Sequence, residues 1–283
     1  MSKALNIRGD YAEAFQTFAE KAWPLGTRMH LADGRVFRFA RAGAAALVVA
    51  RVLQAARQDE MLRDAPAKLP RTGPRALSLE MGVERGITAN TYEDGLLYAN
   101  DGTGEGHSYH VAGSTLLELG SGLTALTVFL DSDYATLPDS TTRFTLLKNR
   151  YNSLARADNP PRSAVVGATP VAVAANYYFW LQTGGPCAAL QEGDLEVYLP
   201  VQASRVTAGA VELATVVVPA TAGERHGAEG IVVEPVLGDD GGPVKGRLAW
   251  RSGVGAVPGI PIGYSLSPAE HGQHCLISLT LEN

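Results

Sequence analysis

Two cysteines in 283 residues, Cys187 and Cys275, stand far apart in the chain. They supply no disulfide framework, so two free buried thiols are the expectation. Charge is also scarce: 19% of residues are ionisable Asp, Glu, Lys or Arg, against roughly a quarter in ordinary soluble domains. The 24 Lys and Arg are scattered singly within a net charge of -5. Binding to DNA or RNA needs a clustered basic face, so no nucleic-acid partner is expected. No run of about twenty apolar residues occurs, which excludes a membrane-spanning helix. The start of the chain has no apolar run after Lys3 and does not read as a secretory signal. A chain of this length buries enough apolar surface to need no metal or disulfide staple. These absences predict a soluble protein made inside a cell.

Turn formers are abundant, with Gly 31 and Pro 16. They punctuate short alternating runs, which predicts a mainly β protein of sandwich or barrel-like antiparallel sheets. One short helix is expected at the N-terminus. Asp10 and Glu13 suggest a capped start, and Tyr11, Ala14, Phe15, Phe18 and Ala22 recur at helical spacing up to Pro24. Such a helix is marginal alone and must dock, on its own domain or on a neighbouring subunit. Residues 29–42 read as a hairpin with a type I′ turn at Asp33-Gly34. Residues 44–62 favour a helix in their second half, and 66–74 an exposed connection.

From Ala76 onward the pattern is β, with candidate strands at 96–99, 108–111 and 123–130. Residues 141–154 fit a strand with Phe144 and Leu146 on one face, rather than a helix, because of the threonines at 141, 142 and 145. Further strands are expected at 195–201, 211–218, 231–236, 248–251 and, most clearly, 275–281. Asn159-Pro160-Pro161 marks a linker. The organisation expected is a helical arm over 1–29, a first β-rich region over 30–158 and a second over 159–283.

No catalytic, metal or cofactor constellation emerges. His107 and His110 would point to opposite faces of a strand, and His271, His274 and Cys275 lack a fourth ligand in a closed set. The glycine-rich run from Asn100 to Gly106 is not a dinucleotide, Walker or EF-hand loop and reads as a β turn. Gly120-Ser121-Gly122 and Gly113-Ser114 lack a nucleophile elbow. Asp131, Asp133 and Asp139 could include a glycosidase pair, but nothing selects two of them, and solvated loop acids are the simpler reading.

The segment 165–190 carries the densest aromatic cluster, Tyr177, Tyr178, Phe179 and Trp180, ahead of Gly184-Gly185-Pro186. On a strand, Tyr178 and Trp180 share one side and Tyr177 and Phe179 the other, so both faces need covering. The candidate interface residues are therefore Tyr177, Tyr178 and Trp180, with Tyr11, Phe15, Phe18 and Trp23 of the N-terminal arm. A central strand of one domain is the competing explanation for the cluster.

The run from Gly34 to Gly43 and on to Leu53-Gln54, then Asp94-Gly95-Leu96 through Asn100 to Tyr109, then Lys148-Asn149-Arg150-Tyr151-Asn152, then Val166 to Val173 and Trp180 to Pro186, form an ordered set of landmarks. Their order resembles that of virion structural proteins of tailed bacteriophages, of the capsid decoration or cement kind. The resemblance spans about residues 34–190. The similar sequences carry a glycine near Ala50 and an aromatic residue near Gly184. The resemblance implies a non-enzymatic, cofactor-free protein on the exterior of the virion capsid, assembled in the host cytoplasm. Its implied partners are the major capsid protein and further copies of itself, often as a homotrimer. A tail or baseplate protein with a glycan-binding β domain is the alternative expectation. A third, a carbohydrate-active enzyme, requires a carboxylate pair.

Overall fold

A computed structural model describes residues 6–81, 87–118, 124–214, 229–237, 243–252, 261–269 and 271–281. The architecture is mainly β with closed sheets. Its spine is the strand Tyr178–Gln191, which joins two neighbourhoods. The first half pairs with Val36–Arg41, Thr17–Phe18 and Val165–Ala168. The second half pairs with His274–Thr280 on one side and with Ala210–Leu213 on the other. The circuit then runs through Pro200–Ala203 and Gly263–Ser267 back to His274–Thr280, so this part of the sheet closes on itself.

Small side chains fill that ring. Cys187, Ala189, Val201, Ala203, Val211, Cys275, Ile277 and Leu279 form one buried cluster. Cys187 and Cys275 are both free and buried. Burial pushes the Cys187 thiol up to about 12 and the Cys275 thiol up to about 11. The thiolate is the reactive form, so neither cysteine should react with an aromatic disulfide reagent at pH 8 in the folded protein. Both should react at once in denaturant. A titration finding one fast thiol in the native state would contradict this packing.

A second closed barrel is built from a contiguous stretch of chain. Its strands run in the order Ala65–Gly73, Ala76–Met81, Thr124–Leu130, Ser108–Glu118, Leu96–Asp101 and Arg143–Leu147, and the last pairs with the first. Leu77, Leu79, Leu97, Val111, Leu126, Val128, Phe144 and Leu146 pack inside. The strand expected over 123–130 is observed at Thr124–Leu130, and the inward pairing of Phe144 with Leu146 is observed as well. The chain enters this barrel from Val52–Gln54 and leaves it into Ala155–Arg156, and these two strands pair with each other. Val52–Gln54 also pairs with Val165–Ala168, which lies beyond the linker expected at Asn159-Pro160-Pro161. A separate two-stranded sheet, Glu229–Leu237 with Pro243–Ser252, completes the fold.

The entry and exit of the barrel are clipped together. The Lys148 ammonium lies 2.7 Å from Asp59, and the Lys148 amide donates to Gln58 Oε1 at 2.8 Å. The Tyr92 hydroxyl donates to the same Asp59. Across the junction with the sheet, Asn149 Nδ2 donates to the Asp94 carbonyl at 2.8 Å and Asn152 Nδ2 to the Thr91 carbonyl at 2.9 Å. Asp94 itself is at the centre of this contact. Its carboxylate accepts from the Leu25 amide at 2.8 Å and lies 2.6 Å from Lys21 Nζ, which also reaches Glu93 at 2.8 Å.

Five expectations from the sequence need correction. The N-terminal amphipathic helix is not formed: between Asn6 and Pro24 helical structure is confined to one turn, Tyr11–Ala14, capped by Asp10. Phe18 leaves the helical path because Thr17–Phe18 pairs with the spine strand and the Phe18 ring packs 5.7 Å from Phe39. Strand pairing and aromatic burial outweigh a short helix that is marginal by itself. Residues 52–54 are likewise a strand and not a helix, buried between two partners. The expected connection at 66–74 is a barrel strand. The alternation at 195–201 yields a strand only at Pro200–Ala203, because Tyr198 adopts a φ of 64° that no strand permits. The hairpin at 29–42 is present, but only Gly34 is left-handed, with φ 85°. Its amide donates to Leu31 and the Leu31 amide to Arg35, the pattern of a type I turn closed by a left-handed glycine.

Candidate functional site

The outer surface of the small closed ring displays large apolar side chains to solvent. Because Cys187, Ala189, Cys275, Ile277 and Leu279 point inward, alternation turns the intervening residues outward. Register aligns Pro186 with Ser278, Ser278 with Tyr264 and Tyr264 with Pro200 in one row across four strands. Ala188, Leu276 and Ser267 form the adjacent row. None of these positions carries an Asp, Glu, Lys or Arg. Tyr264 is 49% exposed and Leu276 41%.

Tyr198 extends this surface. Its amide donates to the Ser265 carbonyl at 2.7 Å, and the Ser265 amide donates to Leu199 at 3.0 Å, so the loop is tied to the Tyr264 strand. A left-handed conformation costs a bulky L-residue about 1–2 kcal/mol. The ring it presents is 75% exposed, beside the exposed Val197.

The aromatic residues singled out in the sequence fall into two groups. Trp180 is 0% exposed, and Phe18, Trp23 and Tyr178 pack against the same cluster around Phe39. Trp180 thus packs in the core of this cluster in the isolated chain. Tyr11, Phe15 and Tyr177 are exposed. Tyr11 donates to Asp33 at 2.7 Å and lies under the Arg35 guanidinium, 4.7 Å from the ring centroid. That hydroxyl is the main reason the Asp33 carboxyl titrates below its ordinary value. Tyr198, Tyr264 and Leu276 were not singled out. The available signal was parity: Leu276 is the large apolar residue on the polar side of the last strand, and Tyr198 alternates with apolar neighbours.

The titratable groups are dispersed. His110 Nδ1 meets Asp131 at 2.6 Å, and the Arg75 guanidinium meets Asp133 at 2.5 Å. Asp139 accepts from the Thr103 and Thr141 hydroxyls at 2.6 Å each, which hold its carboxyl down to about 2 and fasten the glycine-rich turn that follows Asp101. His271 accepts from the Gly193 amide at 2.9 Å, whereas Cys275 faces inward. Among the described residues no group of three or more His, Cys, Asp or Glu is placed to hold a metal ion. A groove of about 690 Å³ runs beside the strand Asn6–Arg8, lined by residues 6–9 and 30–32, with Arg8 and His30 as its ionisable groups. It brings no acid and base together. Set against family models, curated proteins and solved structures, the chain matches none.

Proposed function

We propose that this chain is a non-enzymatic virion protein that binds the outer surface of a phage head and stabilises the lattice of the major capsid protein, as a homo-oligomer. The observation that carries the reading is the pair of uncharged rows on the outer face of the small ring, one of Pro186, Ser278, Tyr264 and Pro200 and the other of Ala188, Leu276 and Ser267, with Tyr264 and Leu276 exposed upon them and Tyr198 beside them. Interface cores are depleted in charge and enriched in tyrosine. Many modest contacts repeated over a lattice give strong retention through multivalency. The ordered landmarks over residues 34–190 point the same way, and Ala50 has a φ of 54° where the similar sequences carry glycine.

Paired substitution of Tyr264→Asp with Leu276→Asp is expected to lower the melting temperature only modestly and leave the chain folded, because both side chains are about half exposed. Binding of the purified chain to expanded heads, followed by co-sedimentation, should fall by about a hundredfold. In purified virions the chain should be present in numbers comparable to the major capsid protein. A few copies per particle would overturn the proposal. That result would favour the second reading, a tail or baseplate protein that stacks glycan rings on the exposed faces of Tyr198 and Tyr264.

A further inference from the structure

Arg51 and Arg156 are held side by side, and among the described residues no carboxylate balances them. Arg51 precedes the strand Val52–Gln54, and Arg156 lies on its partner Ala155–Arg156. Both stems cross Gly209: a Cβ there would sit 2.5 Å from Arg156 Cγ, 2.9 Å from Arg156 Cδ and 3.1 Å from Arg51 Cδ. Gly209 is fixed in place by two backbone bonds, Val52 N–H to its carbonyl and its own N–H to Ala157, each 2.9 Å. Its φ of 72° and its bare Cα make the close approach possible. Among the described residues neither guanidinium forms an ion pair. Arg51 Nη1 reaches only the Ala50 carbonyl at 3.5 Å and His274 Nε2 at 3.4 Å. Partial burial, and then the charge of Arg156, push Arg51 below the ordinary guanidinium value.

Like charges gathered on a rigid glycine platform repel each other unless an anion lies between them. Two guanidinium forks on neighbouring strands are matched to the paired oxygens of a phosphate or a carboxylate. We infer that Arg51 and Arg156, flanked by His274, form an oxyanion-binding site. This inference stands apart from the virion reading and does not require it.

The test uses the purified chain, its Arg156→Gln and Arg51→Gln variants, which keep most of the stem over Gly209, and Arg143→Gln on the barrel as a control of equal charge change. Thermal unfolding is followed in inorganic phosphate, or with a hexaglutamate peptide, against chloride at matched ionic strength. Phosphate at 50 mM is expected to raise the midpoint of the parent chain and of Arg143→Gln by about 2–4 °C, and that of the two site variants by less than half as much. A response to phosphate alone identifies a free oxyanion as the ligand, and a response to hexaglutamate alone identifies a carboxylate on a protein partner. Either supports the site. No gain over chloride with either probe, or an equal gain in Arg156→Gln, overturns it. Should Arg156→Gln fail to fold, a saturable phosphate effect on the parent chain, compared with Arg51→Gln, decides the matter.

Discussion

Asp94→Ala is expected to destabilise the protein by about 3–5 kcal/mol, measured by urea unfolding, because it strands a cation that has been taken out of water. The Asp94 side chain is 1% exposed and that of Lys21 19%. The carboxylate also satisfies the Leu25 amide. Removing it leaves Lys21 with Glu93 alone and leaves a buried N–H without its acceptor. Asp94→Asn should cost less, since asparagine accepts from Leu25 and tolerates the local φ of 59°. The contact joins the inserted barrel to the N-terminal segment, so the alanine variant should also show two separable transitions in place of one. The Lys21 partnership predicts a pH signature. Burial disfavours the ammonium, but its hydrogen bonds to Asp94 and Glu93 outweigh that and raise its pKa above 10.5. A raised lysine pKa contributes stability that is complete below 10.5 and is lost as pH climbs through the folded-state value. An alkaline loss of stability should therefore appear in the parent chain and be blunted in Asp94→Ala. A destabilisation below about 1 kcal/mol would show that the junction is held by its backbone bonds and not by this ion pair.

The role of Asp94 illustrates what the sequence could and could not reveal. Asp94-Gly95 reads correctly as a turn, and the turn is present, with the Gly95 amide donating to Tyr92 at 2.9 Å. Turn chemistry is silent on burial, which depends on Lys21 and Leu25, some seventy positions earlier. Strands with one buried face were legible from alternation: Cys275, Ile277 and Leu279 point inward as their parity requires. Segments whose state is set by distant partners were not. Val52–Gln54 has a helical-looking context, yet its three residues are buried between strands more than one hundred positions away. The fold class was readable because it is local alternation repeated many times, whereas barrel closure is a set of long-range pairings with no local signature. The outward face was half legible. Tyr264 and Leu276 were visible as residues, but only register shows that they lie in adjoining rows with Pro186, Ala188 and Pro200. The Arg51 and Arg156 pair was invisible, since one glycine, far from both in sequence, brings them together.

Trp180→Ala is expected to cost about 3–5 kcal/mol, the range for deleting a fully buried aromatic side chain. The indole packs edge-on against Phe39 at 5.1 Å, and Phe39 in turn stacks on Tyr178 at 5.7 Å with the rings 5° from parallel. Phe18 closes the group from the opposite end of the sequence. Removing Trp180 leaves a void against Phe37, Phe39 and Met29 that strands on both sides prevent from collapsing. Trp180→Phe should be much milder, about 1 kcal/mol, because the buried indole Nε1 has no hydrogen-bond partner among the described residues and its loss leaves nothing unsatisfied. Tyr178→Ala should fall between them at about 1–2 kcal/mol, since Tyr178 is half-buried and keeps one side toward the Arg41 guanidinium, 5.6 Å from its ring centroid. This ordering separates stability from assembly. Trp180→Ala should lower the unfolding midpoint and impair head binding only in proportion to the unfolded fraction. Substitutions at Tyr264 and Leu276 should do the reverse. A Trp180→Ala chain that melts like its parent but fails to bind would place the aromatic cluster at an interface after all and would require the core around Phe39 to be open in the isolated protein.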